Sequence, residues 1–355
     1  MKPEIRKKRL LFGIRLFIIL TILGISAVFY ATGSRQTLSA LGQFRWPYFF
    51  LGGLLIAVDL LTGALRIFIF LRKMHNGKTF RASFEANLAN IFWAAATPFQ
   101  TGGGVAQLYV LNHYGVPYSA GLTVSVFNFT ATLSLLFLAA TLVLTELPHQ
   151  FALNGSLLLA IDFSRAAFYV TLLLFLFFLF RPGWVVRAIS GITRFSSGRR
   201  PSVQKRLEGL SQKLLAFISD YRQHLSLFWH RHPGVLVWNV VLTVILYFNK
   251  CLVAYVIFKG LGLRPGFWQV VMLQMLVVFF LYFAPTPGAS LIAETGTSAV
   301  MSLIAPGYLL SLFAVLWRFF TTYFGVILGS LVLVRVVGLK DAAPDTSSAR
   351  DKIRF

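Results

Sequence analysis

Six stretches of this chain are apolar over roughly the length a helix needs to cross a lipid bilayer: 10–31, 47–71, 117–145, 163–181, 233–259 and 308–335. An α-helix rises about 1.5 Å per residue, so about 20 apolar residues cover a hydrocarbon core of about 30 Å. Two further regions, 82–114 and 268–305, are as apolar but are interrupted near their middles. In the second of these, the stretch "FFLYFAPTPGASLIAETG" (Phe279 to Gly296) sets Pro285, Pro287 and Gly288 ahead of one acid, Glu294. The pattern predicts an all-α integral membrane protein. It has about six spanning helices and two re-entrant broken-helix hairpins.

Only 12% of the residues are charged, about half the share of a soluble domain, and the mean hydropathy is +0.74. A net charge of +22 would suit nucleic acid if it lay on one soluble face. Here the basic residues stand between apolar runs instead, so no nucleic-acid partner is expected. They crowd the N-terminal tail, the loop with Arg72, Lys73, Lys78 and Arg81, the segment 182–232 and the C-terminal tail. The opposite loops hold only Arg35, Arg45, Lys259 and Arg264. That asymmetry predicts cytoplasmic termini. The leading "MKPEIRKKRL" is followed by a long apolar run with no small-residue cleavage site, which reads as a retained first helix.

These features divide the chain into a tail and first helix (1–46), a membrane repeat (47–145), a connecting helix (146–181), a basic loop (182–232), a second membrane repeat (233–335) and a tail (336–355). Within the loop, apolar residues recur at helical spacing from Val203 to Leu227. Such a helix fits an anionic membrane surface, and it also fits a connector packed on the bundle.

The two broken regions match each other. Thr97-Pro98 and Thr286-Pro287 stand 189 residues apart, as do Pro117 and Pro306. Each half runs from a proline-led span through a broken hairpin to a long last helix, with opposite orientations by the charge rule. Inverted repeats with helices broken near mid-membrane mark transporter-type binding sites. Backbone broken at that depth is tolerated where protein or a wet cavity satisfies it. Ordinary proline kinks in two spanning helices would also produce the pattern.

"TPFQTGGGVAQLYVL" (Thr97 to Leu111) reads as a break, a glycine turn and a half-helix. Gly102, Gly103 and Gly104 permit positive φ and close backbone approach. Helix-start N–H groups there suit an anion, and Gln107 and Tyr109 add neutral hydrogen-bonding groups. A tight packing turn explains the triplet as well. Candidate charges well inside apolar segments are Asp59, Arg66, Glu85, Lys250, Glu294 and Arg318. Each costs about 2.5–3.5 kcal/mol near a helix centre and so faces a partner or a cavity. Their mixed signs allow pairing, Glu294 with Arg318 for example, and Arg66 has the length to snorkel. Gly325 and Gly329 form a GxxxG contact face, read as packing within the chain. Cys251 is the one cysteine, the histidines lack metal-ligand spacing, and no nucleophile–base set emerges. No cofactor, metal or enzymatic chemistry is expected.

The strings "ATPFQTGGGVAQLYVLNHYGVP" and "APTPGASLIAETG…LWRFFTTYFGVILG" resemble the lysylphosphatidylglycerol synthase transmembrane (flippase-like) family of prokaryotic membrane proteins. Pro287, Gly288 and Glu294 are similar to the family's hairpin, and Arg318 to the arginine of its last helix. The first-half motif departs from the commoner glycine–acid–arginine form, with Gly103, Gly104 and Gln107 in those places. The resemblance implies a lipid-handling protein. Fused relatives carry a soluble aminoacyl-transferase domain, for which this chain leaves no room after its last span. The expected substrate is a membrane lipid with a polar, anionic headgroup. Thr97, Gln100, Gly102, Gly103, Gly104, Gln107, Tyr109, Thr286, Pro287, Gly288, Glu294 and Arg318 would form its site. Break N–H groups would hold the headgroup, Arg318 would counter a phosphate, and Glu294 would pair with Arg318 or bind a proton or basic group. A solute transporter, a non-transporting partner of envelope synthesis and a membrane-embedded lipid transferase are the alternatives.

Overall fold

The computed structural model describes residues 3–74, 80–150 and 223–341, with the isolated positions Ala166, Tyr169, Val170, Leu173, Ser219 and Asp220. Most of the connecting span expected at 163–181, most of the basic loop 182–232 and the tail from 342 onward lie outside the described residues. What is described is helical, with no strand among the described residues. The chain is a multi-pass membrane protein by its apolar helices. Four of them are long and apolar enough to cross a membrane: Trp46–Met74, Tyr118–Val143, Pro233–Gly260 and Gly307–Val336.

An N-terminal helix, α1 (Pro3–Thr32), and a short α2 (Arg35–Gly42) precede the first half. That half consists of α3 (Trp46–Met74), α4 (Phe80–Ala95), α5 (Gly102–His113) and α6 (Tyr118–Gln150). The second half follows the same order with α7 (Pro233–Gly260), α8 (Phe267–Tyr282), α9 (Ile292–Met301) and α10 (Gly307–Arg318). A π-helical turn at Phe319–Tyr323 carries α10 into α11 (Phe324–Asp341). Pro233 opens α7 where a missing N–H costs nothing. Gly115 (φ 78°) closes α5 and Gly262 (φ 83°) closes α7. At both ends the second residue past the cap bonds back five positions, Val116 N–H to Leu111 O (3.0 Å) and Leu263 N–H to Phe258 O (2.9 Å). These are Schellman closures, which need a left-handed residue.

The two halves run in opposite directions. Asn249 Nδ2 donates to Leu55 O (2.8 Å), Lys250 Nζ stands 2.8 Å from Asp59 Oδ1, and Arg66 Nε reaches Asn239 Oδ1 (3.4 Å). Numbers rise along α3 as they fall along α7, so these helices are antiparallel, and together they form the seam between the halves. The rest of the packing is crossed over: α4 lies against α11, and α6 against α8. The GxxxG face lies in the first of these contacts. A Cβ on Gly325 would come within 2.9 Å of Ile91 Cγ2, and one on Gly329 within 2.3 Å of Leu88 O. The motif is used inside the chain, as read.

α4 and α5 fold back on each other, since Glu85 pairs with Tyr114 near one end and Asn90 with Gln107 farther along. Their 16 and 12 residues rise about 24 and 18 Å, short of the roughly 30 Å core. Neither arm alone has the length to cross, and the segment is a helical hairpin. The last part of the basic loop is helical, and its Phe228 is buried against Phe70, with ring centroids 4.9 Å apart. That portion is a connector docked on the bundle.

Candidate functional site

The two breaks share one backbone conformation. Phe99 lies at φ 52°, ψ 19° and Gly288, 189 positions later, at φ 59°, ψ 20°. The next residues, Gln100 and Ala289, both have φ 55°. A left-handed turn is what each half uses at its break. In the first break it falls on Phe99 and Gln100, not on the glycine triplet. Gly102 and Gly103 serve close approach instead. A Cβ there would lie 2.8 Å from Thr97 Oγ1 and 2.2 Å from Asn90 Oδ1 respectively, while Gly104 faces open space.

Internal partners satisfy the broken backbone. Thr97 Oγ1 donates to Trp93 O (2.7 Å) and accepts from Gly102 N–H (2.8 Å), stapling α4 to α5. Gln100 N–H and Thr101 N–H bond to Thr97 O and Pro98 O; Ala289 N–H and Ser290 N–H bond to Thr286 O and Pro287 O. Thr286 Oγ1 donates to Ser290 O (2.9 Å). Leu291 N–H donates to Glu294 Oε2 (2.6 Å), the reach-back bond of a capping box. Of the N–H groups expected to cradle an anion, in 100–104 and 287–289, those of Gln100, Thr101, Gly102 and Ala289 are already bonded within the protein in this conformation.

Glu294 and Arg318 form the centre of the second half. Their side chains are 0% and 3% exposed, and Arg318 Nε stands 2.8 Å from Glu294 Oε1. Arg318 Nη2 donates to Gly288 O (3.1 Å) and Ser290 Oγ (3.2 Å), and Nη1 to Thr322 Oγ1 (3.2 Å). Ser290 also meets Thr21 of α1 at 3.0 Å, so the first helix closes this cluster. The first half makes the same hairpin-to-last-helix tie without charge. Asn90 Nδ2 donates to Gln107 Oε1 (2.9 Å), and Gln107 Nε2 donates to Ser125 Oγ (3.0 Å). Tyr109 packs, partly buried, against the core beside this tie.

The breaks meet. Gln100 Nε2 donates to Leu281 O (3.2 Å) at the end of α8. Beside this contact lies a cavity of about 220 Å³, walled by both hairpins, α7 and the π-turn. Of the expected site residues it exposes Gln100, Gly288 and Arg318. Thr97, Gly102, Gly103, Gly104, Gln107, Tyr109, Thr286, Pro287 and Glu294 are not among its lining residues. Asn90, Tyr247, Tyr282, Thr321 and Thr322, which no sequence pattern singles out, also line it, as does Lys250, in sequence only a charge within a span. Two cations and no carboxylate are among its lining residues. No group of three or more metal-ligating side chains occurs among the described residues.

Charge is distributed unevenly around this site. Arg66 does not snorkel. It is buried, and it donates to Asn128 O (2.6 Å), Thr132 Oγ1 (3.0 Å) and Asn239 Oδ1, all neutral acceptors. In the core formed by α3, α7, α9 and α10, the cations Arg66, Lys250 and Arg318 face the carboxylates Asp59 and Glu294, leaving one positive charge. Glu85 stands apart, holding the base of the first hairpin to Arg81 (3.0 Å), Tyr114 (2.7 Å) and Arg335 (3.8 Å).

The sequence profile of the family "Lysylphosphatidylglycerol synthase TM region" matches residues 11–329. The chain belongs to this family. A UPF0104 membrane protein of Archaeoglobus fulgidus is 25% identical to it over 320 residues, 88% of this chain and 94% of that protein. No solved structure matches the chain. Membership in the lysylphosphatidylglycerol synthase TM region family fits a role connected with membrane lipid, and the resemblance carried by the two hairpin strings extends over nearly the whole membrane domain.

Proposed function

We propose that this family member moves a lipid with an anionic headgroup across the inner membrane of a prokaryote, with both termini in the cytoplasm. The observation that carries the reading is the cavity where the two breaks meet, lined by two cations and no carboxylate. Each lining cation has a carboxylate at 2.8 Å outside the lining, and the positive charge left uncancelled is that of Arg66 on the same seam, which favours an anion nearby. At about 220 Å³ the cavity is smaller than the roughly 300–1,000 Å³ of sites that enclose drug-sized molecules. It holds a headgroup, and the acyl chains stay in the surrounding lipid. Asn90, Gln100, Thr321 and Thr322 supply neutral hydrogen bonds to glycerol or sugar hydroxyls. Rocking of the antiparallel halves about the α3–α7 seam would open the cavity to either side. The basic loop 182–232 would rest against anionic lipid at the cytoplasmic face. No bond is made or broken in this scheme, so the protein acts as a transporter and not as an enzyme.

The test is lipid movement in vesicles reconstituted with the full chain. Fluorescent phosphatidylglycerol is placed in both leaflets, and a membrane-impermeant reductant bleaches the outer one. Loss of the protected inner pool with protein present, faster than for a fluorescent neutral diacylglycerol, is the expected outcome. A protected pool that stays intact sinks the proposal. The small cavity favours one other reading, transport of a free small anion. Protein-dependent uptake of radiolabelled phosphate into sealed vesicles, without lipid movement, would establish that instead.

A further inference from the structure

The two cations that line the cavity are held very differently. Arg318 is enclosed, with Glu294, Gly288 O, Ser290 and Thr322 taking its N–H groups. Lys250 is not enclosed: its side chain is 22% exposed and that of its partner Asp59 is 20% exposed. Nζ stands 2.8 Å from Asp59 Oδ1, the distance of a charge-assisted contact. An ammonium has three donors on a flexible stem. This one lies at the wall of a polar cavity, tied to one carboxylate, with neutral-bonded Arg66 on the same seam.

We propose that Lys250 is the phosphate-binding residue of the cavity and that it exchanges Asp59 for a phosphate oxygen of the ligand. The inference rests on the anion-transport reading above and names the group that recognises the anion. Because Asp59 is on α3 and Lys250 on α7, the exchange removes an ion pair that joins the two halves. Ligand entry therefore loosens the seam about which the halves would move. Arg318 keeps its internal partners throughout and shapes the cavity wall.

The experiment is calorimetric titration of the full chain in detergent with two probes, dihexanoyl phosphatidylglycerol and inorganic phosphate. Binding of the lipid probe should weaken about tenfold or more in Lys250→Gln, the scale of a lost charge-assisted hydrogen bond. It should be kept within a few-fold in Lys250→Arg. In Asp59→Asn it should tighten, because the competing carboxylate is gone. Should Lys250→Gln misfold around an unpaired Asp59, the Asp59→Asn/Lys250→Gln double variant removes both charges and should melt near wild type while still losing the probe. Unchanged binding in Lys250→Gln or in the double variant overturns the proposal. So does a loss in Asp59→Asn as large as in Lys250→Gln, and so does failure of wild type to bind either probe. Lipid movement by wild type together with Lys250-independent binding removes the proposal and leaves the lipid-transport reading standing. Lys250-dependent binding of inorganic phosphate without lipid movement supports the proposal, assigns the ligand as free phosphate and removes the lipid reading.

Discussion

Arg318 Nε lies 2.8 Å from Glu294 Oε1, and neither side chain is more than 3% exposed. The pair closes the second break on itself: the carboxylate caps Leu291 N–H, and the guanidinium holds Gly288 O at the left-handed turn. In this conformation it is an internal clamp.

Removing one member leaves the other charged and buried. Arg318→Ala and Glu294→Gln should each destabilise the protein by about 3–5 kcal/mol. A double change to leucines should recover much of the melting temperature, because apolar replacement of a buried pair is often close to neutral. Thermal unfolding in detergent, followed by tryptophan fluorescence, checks both. A single variant that melts like wild type would remove the clamp.

The glycine triplet offers an internal comparison. Gly103→Ala must displace Asn90, whose Oδ1 would lie 2.2 Å from the new Cβ, and overpacking of this kind costs about 1–3 kcal/mol. Gly104→Ala meets nothing within 4 Å and relieves a helical glycine, gaining about 0.5–1 kcal/mol. Opposite shifts in melting temperature are expected from two neighbouring, chemically identical changes.

The neutral tie of the first half is also testable. Gln107→Leu leaves Asn90 and Ser125 short of partners in a buried site, at a cost of about 1–3 kcal/mol. Pairing it with Asn90→Leu should restore part of the loss, and a double-mutant cycle in denaturant or heat measures the coupling. Simple additivity of the two losses would mean that the tie is not a unit.

Gly329→Ala should lower the melting temperature through its 2.3 Å conflict with Leu88 O on α4. The oligomeric state, followed by light scattering, should stay that of wild type, since this face is occupied within one chain. A change of oligomeric state with unaltered melting would place the motif between chains instead.

Much of this architecture is legible because prolines and glycines punctuate apolar runs. Thr97-Pro98 and Thr286-Pro287 located both breaks, and the apolar face of α11 announced its GxxxG contact. The Glu294–Arg318 pair was legible too, since two opposite charges in lipid seek each other. What stayed hidden depends on tertiary placement. Lys250 is one lysine within a long apolar helix, and only the antiparallel seam brings it to Asp59 and to the cavity. Asn90, Gln107 and Ser125 are uncharged, so nothing in their spacing distinguishes a tie from scattered polar residues. The glycine triplet pointed to left-handed backbone, whereas the turn falls on Phe99 and Gln100, where side-chain sterics argue against it. Resemblance placed Arg318 at a phosphate, yet the structure finds it already engaged by the protein.

The two ion pairs of the core answer differently to dissolved ions. The Glu294–Arg318 pair is sealed, and ionic strength has almost no hold on it. The Asp59–Lys250 pair is about a fifth exposed beside a cavity roomy enough for several waters. Near-physiological salt screens charges in water over about 8 Å. Electrolyte that enters this cavity would weaken the seam between the halves while the clamp inside the second half holds, so the medium reaching the cavity would set how stiffly the two halves are joined.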